Sequence, residues 1–454
     1  MQHQRSSMQE LTLRQAPPVK GGSRRRVTAV VALAASSLVL AACGTADDPP
    51  SSDPTTEVVE PVTLTFVNAQ DPGTFDEVIA SFERDNPGIT IEQEVVPFDD
   101  LNSTVQARLS QEDGSIDLYD VDAPRLAAFA ARGYLEDISD LAAEAEGVID
   151  ATALETGTFE GVHYALPRWT SSQLLFFNAD LLTAAGVDLP SSDPAEPLTW
   201  EELTDQAELA QAAGAEWGMT FDQVNRYYQL QPLPESLGGG PGVSGDDMLT
   251  PDVTNAGWVE AFTWYGSTFE SGVAPRGIGP QQTPQLFAAG DVAFFVGGPW
   301  NVRSFADAEG LNYGVAPFPT FAEGEGASST GSWMTGVSPF SDNLEAAKKF
   351  LAYMTIDTTG AVEVTSNNIP VHLEAQETYL ASLGSEGEVF AQMAAIIQYE
   401  LANNAAPRPT TVGYVEFETE MNKAFEDIAN GTDAAERLEQ AAAELDRQFA
   451  KYRN

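Results

Sequence analysis

Val62-Thr63-Leu64-Thr65-Phe66-Val67, followed by Thr74–Asn86 and by Ile89-Thr90-Ile91-Glu92-Gln93-Glu94-Val95-Val96, is the stretch that decides the fold. The first run alternates apolar and polar residues at the strand period. Phe75, Val78, Ile79 and Phe82 then recur at helical spacing. Asn86-Pro87-Gly88 stops that helix before the second alternating run begins. A helix over Phe98–Glu112, a strand over Ile116–Val121 and a helix over Pro124–Arg132 continue the pattern. Strands alternating with helices predict parallel or mixed sheets covered by helices, an α/β fold. Ligands in such folds lie beyond the carboxyl ends of the strands, where Gln70, Asp71, Asp120 and Asp122 fall.

The same alternation runs on. Gln173–Asn178 reads as an apolar strand, and Thr199-Trp200-Glu201-Glu202 opens a helix with a capping box. Helices are predicted over Pro251–Ser271 and Pro284–Ala289, then a strand over Val292–Val296 and amphipathic helices over Leu344–Thr355 and Asp433–Tyr452. Gly238–Gly245 and Ala322–Gly331 read as surface loops.

Upstream of the folded sequence, Lys20 and Arg24-Arg25-Arg26 precede the uncharged run Val27–Leu40. That run is shorter than the ~20 residues of a membrane-spanning helix. A basic stretch, a short apolar stretch and small residues make residues 1–42 an export signal. Leu40-Ala41-Ala42-Cys43 resembles the lipobox of bacterial lipoproteins, which implies a lipid on Cys43, the chain's one cysteine. Residues 43–60, rich in Pro, Ser, Thr and Asp, read as a disordered tether. The expected location is the outer face of the cytoplasmic membrane, with the lipid anchor as the only membrane contact.

The formal net charge is −46, and loss of the basic leader makes the remainder more acidic still. Such a chain repels nucleic acid and anionic head groups, so neither is an expected partner. With 43% apolar residues it still has the material for proper cores. Its length exceeds the ~250–300 residues that one core supports, so two domains are expected.

Catalytic patterns are missing. Beyond the leader the histidines are His163 and His372, too few for a histidine metal cluster. No phosphate loop and no Gly-x-Ser-x-Gly elbow occurs. The expectation is no enzyme, no metal and no cofactor. Tryptophans beside glycines and turns stand out instead: Gly297-Gly298-Pro299-Trp300, Gly331-Ser332-Trp333 and Leu166-Pro167-Arg168-Trp169. Sugars have apolar C–H faces and a rim of hydroxyls, which indoles and polar groups together can hold. For any one of these tryptophans the alternative is an ordinary core position.

Several segments follow one another in a recognisable order. They are Phe82–Ile89, Asp117–Asp122 with Gly133-Tyr134-Leu135, and Tyr164–Pro167 with Leu175–Leu182. Phe287–Phe294 through Trp300, Asn312–Pro319 and Gly331-Ser332-Trp333 before Asn343–Phe350 complete the series. In order and spacing they resemble the family 1 extracellular solute-binding proteins, the sugar receptors of ABC importers, and among them the maltose- and trehalose/maltose-type receptors. The resemblance implies a two-lobed periplasmic-binding-protein-like fold (type II) with hinge crossings and an interlobe ligand cleft. The expected lobes are 61–166 with 334–395, and 167–333 with 396–454. It implies a monomer that binds a neutral di- or oligosaccharide and delivers it to ABC permease subunits. Carried over by position, Asp122 accepts sugar hydroxyls, Trp169 and Ser171 meet the ligand past the first crossing, and Trp300 and Trp333 stack on its rings. A carboxylate often stands at the place of Ser171. Arg408 matches a ligand-binding arginine, with a loop salt bridge as its alternative role, and Gln70 and Asp71 are further polar contacts. Two other functions stay open from the residues alone. One is a non-sugar solute such as glycerol phosphate or a polyamine, and the other is a surface polysaccharide-active enzyme or adhesion protein.

Overall fold

A computed structural model describes residues 61–453, apart from 71, 332 and 365–367. The export signal, Cys43, the tether and Asp71 lie outside the described residues. The main strands are β1 (Val62–Asn68), β2 (Ile89–Val95), β3 (Leu118–Asp122), β4 (Ala165–Pro167), β5 (Leu174–Asn178), β6 (Trp217–Phe221), β7 (Val292–Gly297), β8 (Tyr313–Ala316) and β9 (Trp333–Val337).

They form two mixed sheets. The first has the order β2-β1-β3-β9-β4, with β1 parallel to β2 and β3, and β9 antiparallel between β3 and β4. The second has the order β8-β5-β7-β6. Burial explains why β5 reads as an unbroken apolar run: Leu175 and Phe177 point into one core, Leu174 and Phe176 into another. A strand covered on both faces has no need of polar alternation. The first sheet is sandwiched in the same way, with Leu64, Phe66 and Leu118 on one face and Val67, Tyr119 and Val121 on the other.

Most predicted elements appear within a few residues of their expected ends. The capping box is present in both directions: Glu202 N–H donates to Thr199 Oγ1 at 3.1 Å, and Thr199 N–H donates to Glu202 Oε2 at 3.0 Å. Two expectations need correction. Ala322–Gly331 is not simply a surface loop, because Ser328–Thr330 is a strand parallel to Ala405–Pro407, with Ser328 and Ser329 fully buried. Residues 373–395 do not stay with the first sheet. The helix Leu373–Ser385 starts beside it, where Leu373 N–H donates to Val148 O at 2.9 Å. From Leu383 onward, Met393, Ile396 and Ile397 pack with Phe176 and Phe295 of the second sheet and with Phe305 of the Val302–Ala306 helix. That aromatic cluster draws the helices over, so the return crossing falls earlier, at Ile369–Pro370, which pairs with Trp169–Thr170.

Candidate functional site

Register between β3 and β9 sets Trp333 opposite Asp122 and Thr335 opposite Asp120. Directly opposed residues on one face stand ~5 Å apart at Cβ, so an acid and an indole meet where β3 ends and β9 begins, in the middle of the first sheet. Asp120 is buried, accepting Gln70 Nε2–H at 2.8 Å and Arg168 Nη1–H at 2.7 Å. Asp122, two residues on along the same strand, accepts both Arg408 terminal nitrogens, at 2.8 and 2.5 Å. The strand Ala405–Pro407, anchored by buried Ala406 and paired with Ser328–Thr330, is what delivers Arg408 there.

The second sheet supplies the opposite wall. Tyr228 lies 5.0 Å from the Arg408 guanidinium, ring centroid to carbon. Its hydroxyl donates to Ser171 Oγ at 2.8 Å, and Ser171 donates in turn to Gly331 O at 2.5 Å. Gly331 has φ +83, in the left-handed region that a side chain disfavours. Trp300 sits 6.1 Å from Tyr228, tilted by 46°. Its Nε1–H donates to Asp222 Oδ2 at 2.8 Å, and Asn301 Nδ2–H donates to the same oxygen at 2.9 Å. Burial pushes the Asp222 carboxyl up to about 6 against the pull of those two bonds. Burial likewise pushes the Tyr228 phenol up to about 12.

These walls enclose a cavity of about 500 Å³ lined by Gln70, Asp122, Ser171, Trp300, Trp333 and Arg408. That size is ordinary for a small-molecule site. Its charged lining is balanced: Asp99, Asp122 and Glu418 against Arg125, Arg226 and Arg408. Each acid has a basic partner on the opposite wall, with Arg408 on Asp122, Arg125 on Glu418, and Arg226 on Asp99 at 2.5 Å. Phe98, half exposed at the mouth, meets Trp333 edge-on at 5.7 Å.

Trp169 departs from its expected place. It is buried, lines no part of this cavity and stacks on Phe75 at 6.1 Å with the Arg168 guanidinium 4.6 Å from its ring. Trp169 packs within the first core, and its strand is held by pairing with Ile369–Pro370, so the core alternative holds for this tryptophan. Ser171 does line the cavity, but its donor is spent on Gly331. Asp222, Tyr228, Arg226 and Glu418 were missed. Asp222 directly follows the carboxyl end of β6, the same signal that singled out Asp122. Among the described residues no group of three His, Cys, Asp or Glu is placed to hold a metal, and no helix is long and apolar enough to cross a membrane.

Comparison with known proteins adds to the geometry. The pattern of the family described as "Bacterial extracellular solute-binding protein" matches residues 68–358. The galactooligosaccharide-binding protein of Bacillus subtilis is 28% identical over 292 residues, covering 62% of this chain and 64% of the relative. A maltooligosaccharide ABC transporter solute-binding lipoprotein of Streptococcus pneumoniae R6 is 26% identical over 313 residues, covering 66% and 70%. Among solved structures, an ABC substrate-binding protein from Listeria monocytogenes in complex with cycloalternan superposes with a TM-score of 0.75 at 21% identity, covering 86% of this chain and all of that one. That likeness shows the two-lobed periplasmic-binding-protein-like fold.

Proposed function

This chain belongs to the bacterial extracellular solute-binding protein family, and from that premise we propose that it captures a neutral di- or oligosaccharide for an ABC importer. The charge balance of the cavity carries the reading. Three arginines and three acids pair with each other across it, so the lining offers no surplus charge to a phosphate or a polyamine. What remains is indole surface and hydrogen-bonding groups, the two things a sugar ring uses. Relatives named for galactooligosaccharide and maltooligosaccharide, and a neighbour holding cycloalternan, support the same ligand class.

In this reading Trp300 and Trp333 stack on the rings, while Gln70, Asp122, Ser171 and Arg408 serve the hydroxyls. The lobes are the bodies built on the two sheets, and ligand draws them together because only the closed form lets both walls touch it. The permease reads that closed form. The protein acts as a monomer and catalyses nothing: a glycosidase needs one carboxyl poised as acid facing a second carboxylate across the sugar, whereas each acid of the lining is held by an arginine. Cys43 carries the lipid that fastens the receptor to the outer membrane face.

Calorimetry and tryptophan fluorescence against maltotriose, galactooligosaccharide, cycloalternan, glycerol 3-phosphate and spermidine test the ligand class. A neutral saccharide should bind. Trp300→Ala should then weaken it about 30-fold, the ~2 kcal/mol of an aromatic hot spot, without unfolding the chain. Binding of only the phosphate or the amine would sink the proposal. For the anchor, Cys43→Ala should release the protein into the culture medium; retention at the membrane would return the cysteine to an incidental role.

A further inference from the structure

Asp222 is a buried carboxylate without a basic partner within 4.0 Å among the described residues. Its Oδ2 instead takes two neutral N–H donors, from Trp300 and Asn301. Thr283 Oγ1–H donates to its backbone oxygen at 2.5 Å, tying the loop after β6 to the Thr283–Ala288 helix. The titratable group facing it from the Tyr227–Leu230 helix is Tyr228, a phenol that stays protonated at any working pH. The charges beyond are Arg408, against the Tyr228 ring, and Glu418 further along the wall.

An ionised carboxylate in such surroundings carries a cost. Because burial raises its pKa above the unfolded value, the stability it gives is fully present below about pH 4 and lost as pH rises through about 6. A neutral side chain would fold better at pH 7. The carboxylate has a geometric use, however. N–H bonds to an ionised acceptor are roughly twice as strong as neutral ones, and this one fixes the edge of the indole that lines the cavity.

We propose that Asp222 is the positioning residue of the Trp300 platform, and that taking up a proton there slackens the indole and weakens ligand binding in mildly acidic surroundings. The second half rests on the saccharide reading above; the first does not. Protonation leaves the carboxyl a weaker acceptor for two donors. The indole then gains freedom that a stacking ligand must take away again, and each immobilised side chain costs affinity.

The indole N–H resonance of Trp300 in the ¹⁵N-labelled chain, identified by its loss in Trp300→Phe, reports the contact without any ligand. It should move in a single step centred near pH 6, and Asp222→Asn should abolish the step. Glu418→Gln, which removes the other acid with a raised pKa on this wall, should leave the step in place. For the saccharide found to bind tightest, maltotriose being the first probe, affinity should fall about tenfold from pH 7.5 to 5.0 in the wild type and less than twofold in Asp222→Asn. An indole that does not titrate, or titrates equally in Asp222→Asn, overturns the positioning role. An indole that titrates beside a pH-independent affinity overturns the coupling to ligand. Should no saccharide bind, the ligand assignment fails while the indole titration still decides whether Asp222 holds the platform. If Asp222→Asn does not fold, the wild-type titration with and without Glu418→Gln decides it.

Discussion

A Cβ on Gly298 would lie 2.0 to 2.5 Å from three carbons of the Trp300 six-membered ring, although φ at this position is −107, which suits any residue. Glycine is therefore required by the indole lying across the backbone and not by a left-handed turn. The sequence suggested backbone approaching a ligand here, and the residue approached is instead the tryptophan. Gly298→Ala leaves the backbone unstrained, and a compatible Gly→Ala change by itself stabilises by ~0.4–1 kcal/mol. Trp300 must swing away, lose its bond to Asp222 and leave the platform. Saccharide affinity should fall at least about tenfold while the thermal midpoint hardly moves, and a titration beside a melting curve checks both. Equal affinity would mean that the ring finds an equivalent pose or does not serve the ligand.

At the scale of elements, what could be read in advance was what local pattern controls. β1, the Asp76–Asp85 helix and β2 follow from alternation, helical spacing and an Asn-Pro-Gly stop. The Thr199 cap follows from two side chains three residues apart. Of the site, Gln70, Asp122, Ser171, Trp300, Trp333 and Arg408 were found through strand ends and family resemblance, and all line the cavity. The failures share another cause. Ser328–Thr330 becomes a strand through pairing with Ala405–Pro407, whose partners lie far along the chain. Trp169 is buried by Phe75 and by pairing with Ile369–Pro370, neither visible from its proline-turn surroundings. The helices after residue 373 are apolar enough to cover either sheet, and only the cluster around Phe176 decides which. Asp222 is a different case, since its position after β6 was legible and was passed over.

For the molecule as a whole, the cross-cavity pairs have an unusual consequence. Arg408–Asp122, Arg125–Glu418 and Arg226–Asp99 each join one wall to the other. The last is the most exposed and the most open to screening by salt, whose reach shortens the Debye length to ~10 Å at 0.1 M and ~3 Å at 1 M. If these pairs hold the closed arrangement, salt lowers the closed fraction and with it the apparent affinity. A neutral sugar should thus bind about two- to fivefold more weakly at 1 M than at 0.05 M sodium chloride, measured calorimetrically with Arg226→Gln as the less sensitive comparison. Salt-independent binding would remove the pairs from the closing step. The place of β9 bears on how such a chain is made. It sits between β3 and β4, and β4 has no other neighbour in the first sheet. That sheet cannot be completed until residues 333–337 have left the ribosome, long after β4 itself. At ~5–20 residues per second the delay is on the order of ten to thirty seconds. Through that interval β4 has no partner strand in its own sheet, and the first sheet stays incomplete while the second lobe's strands are already being made.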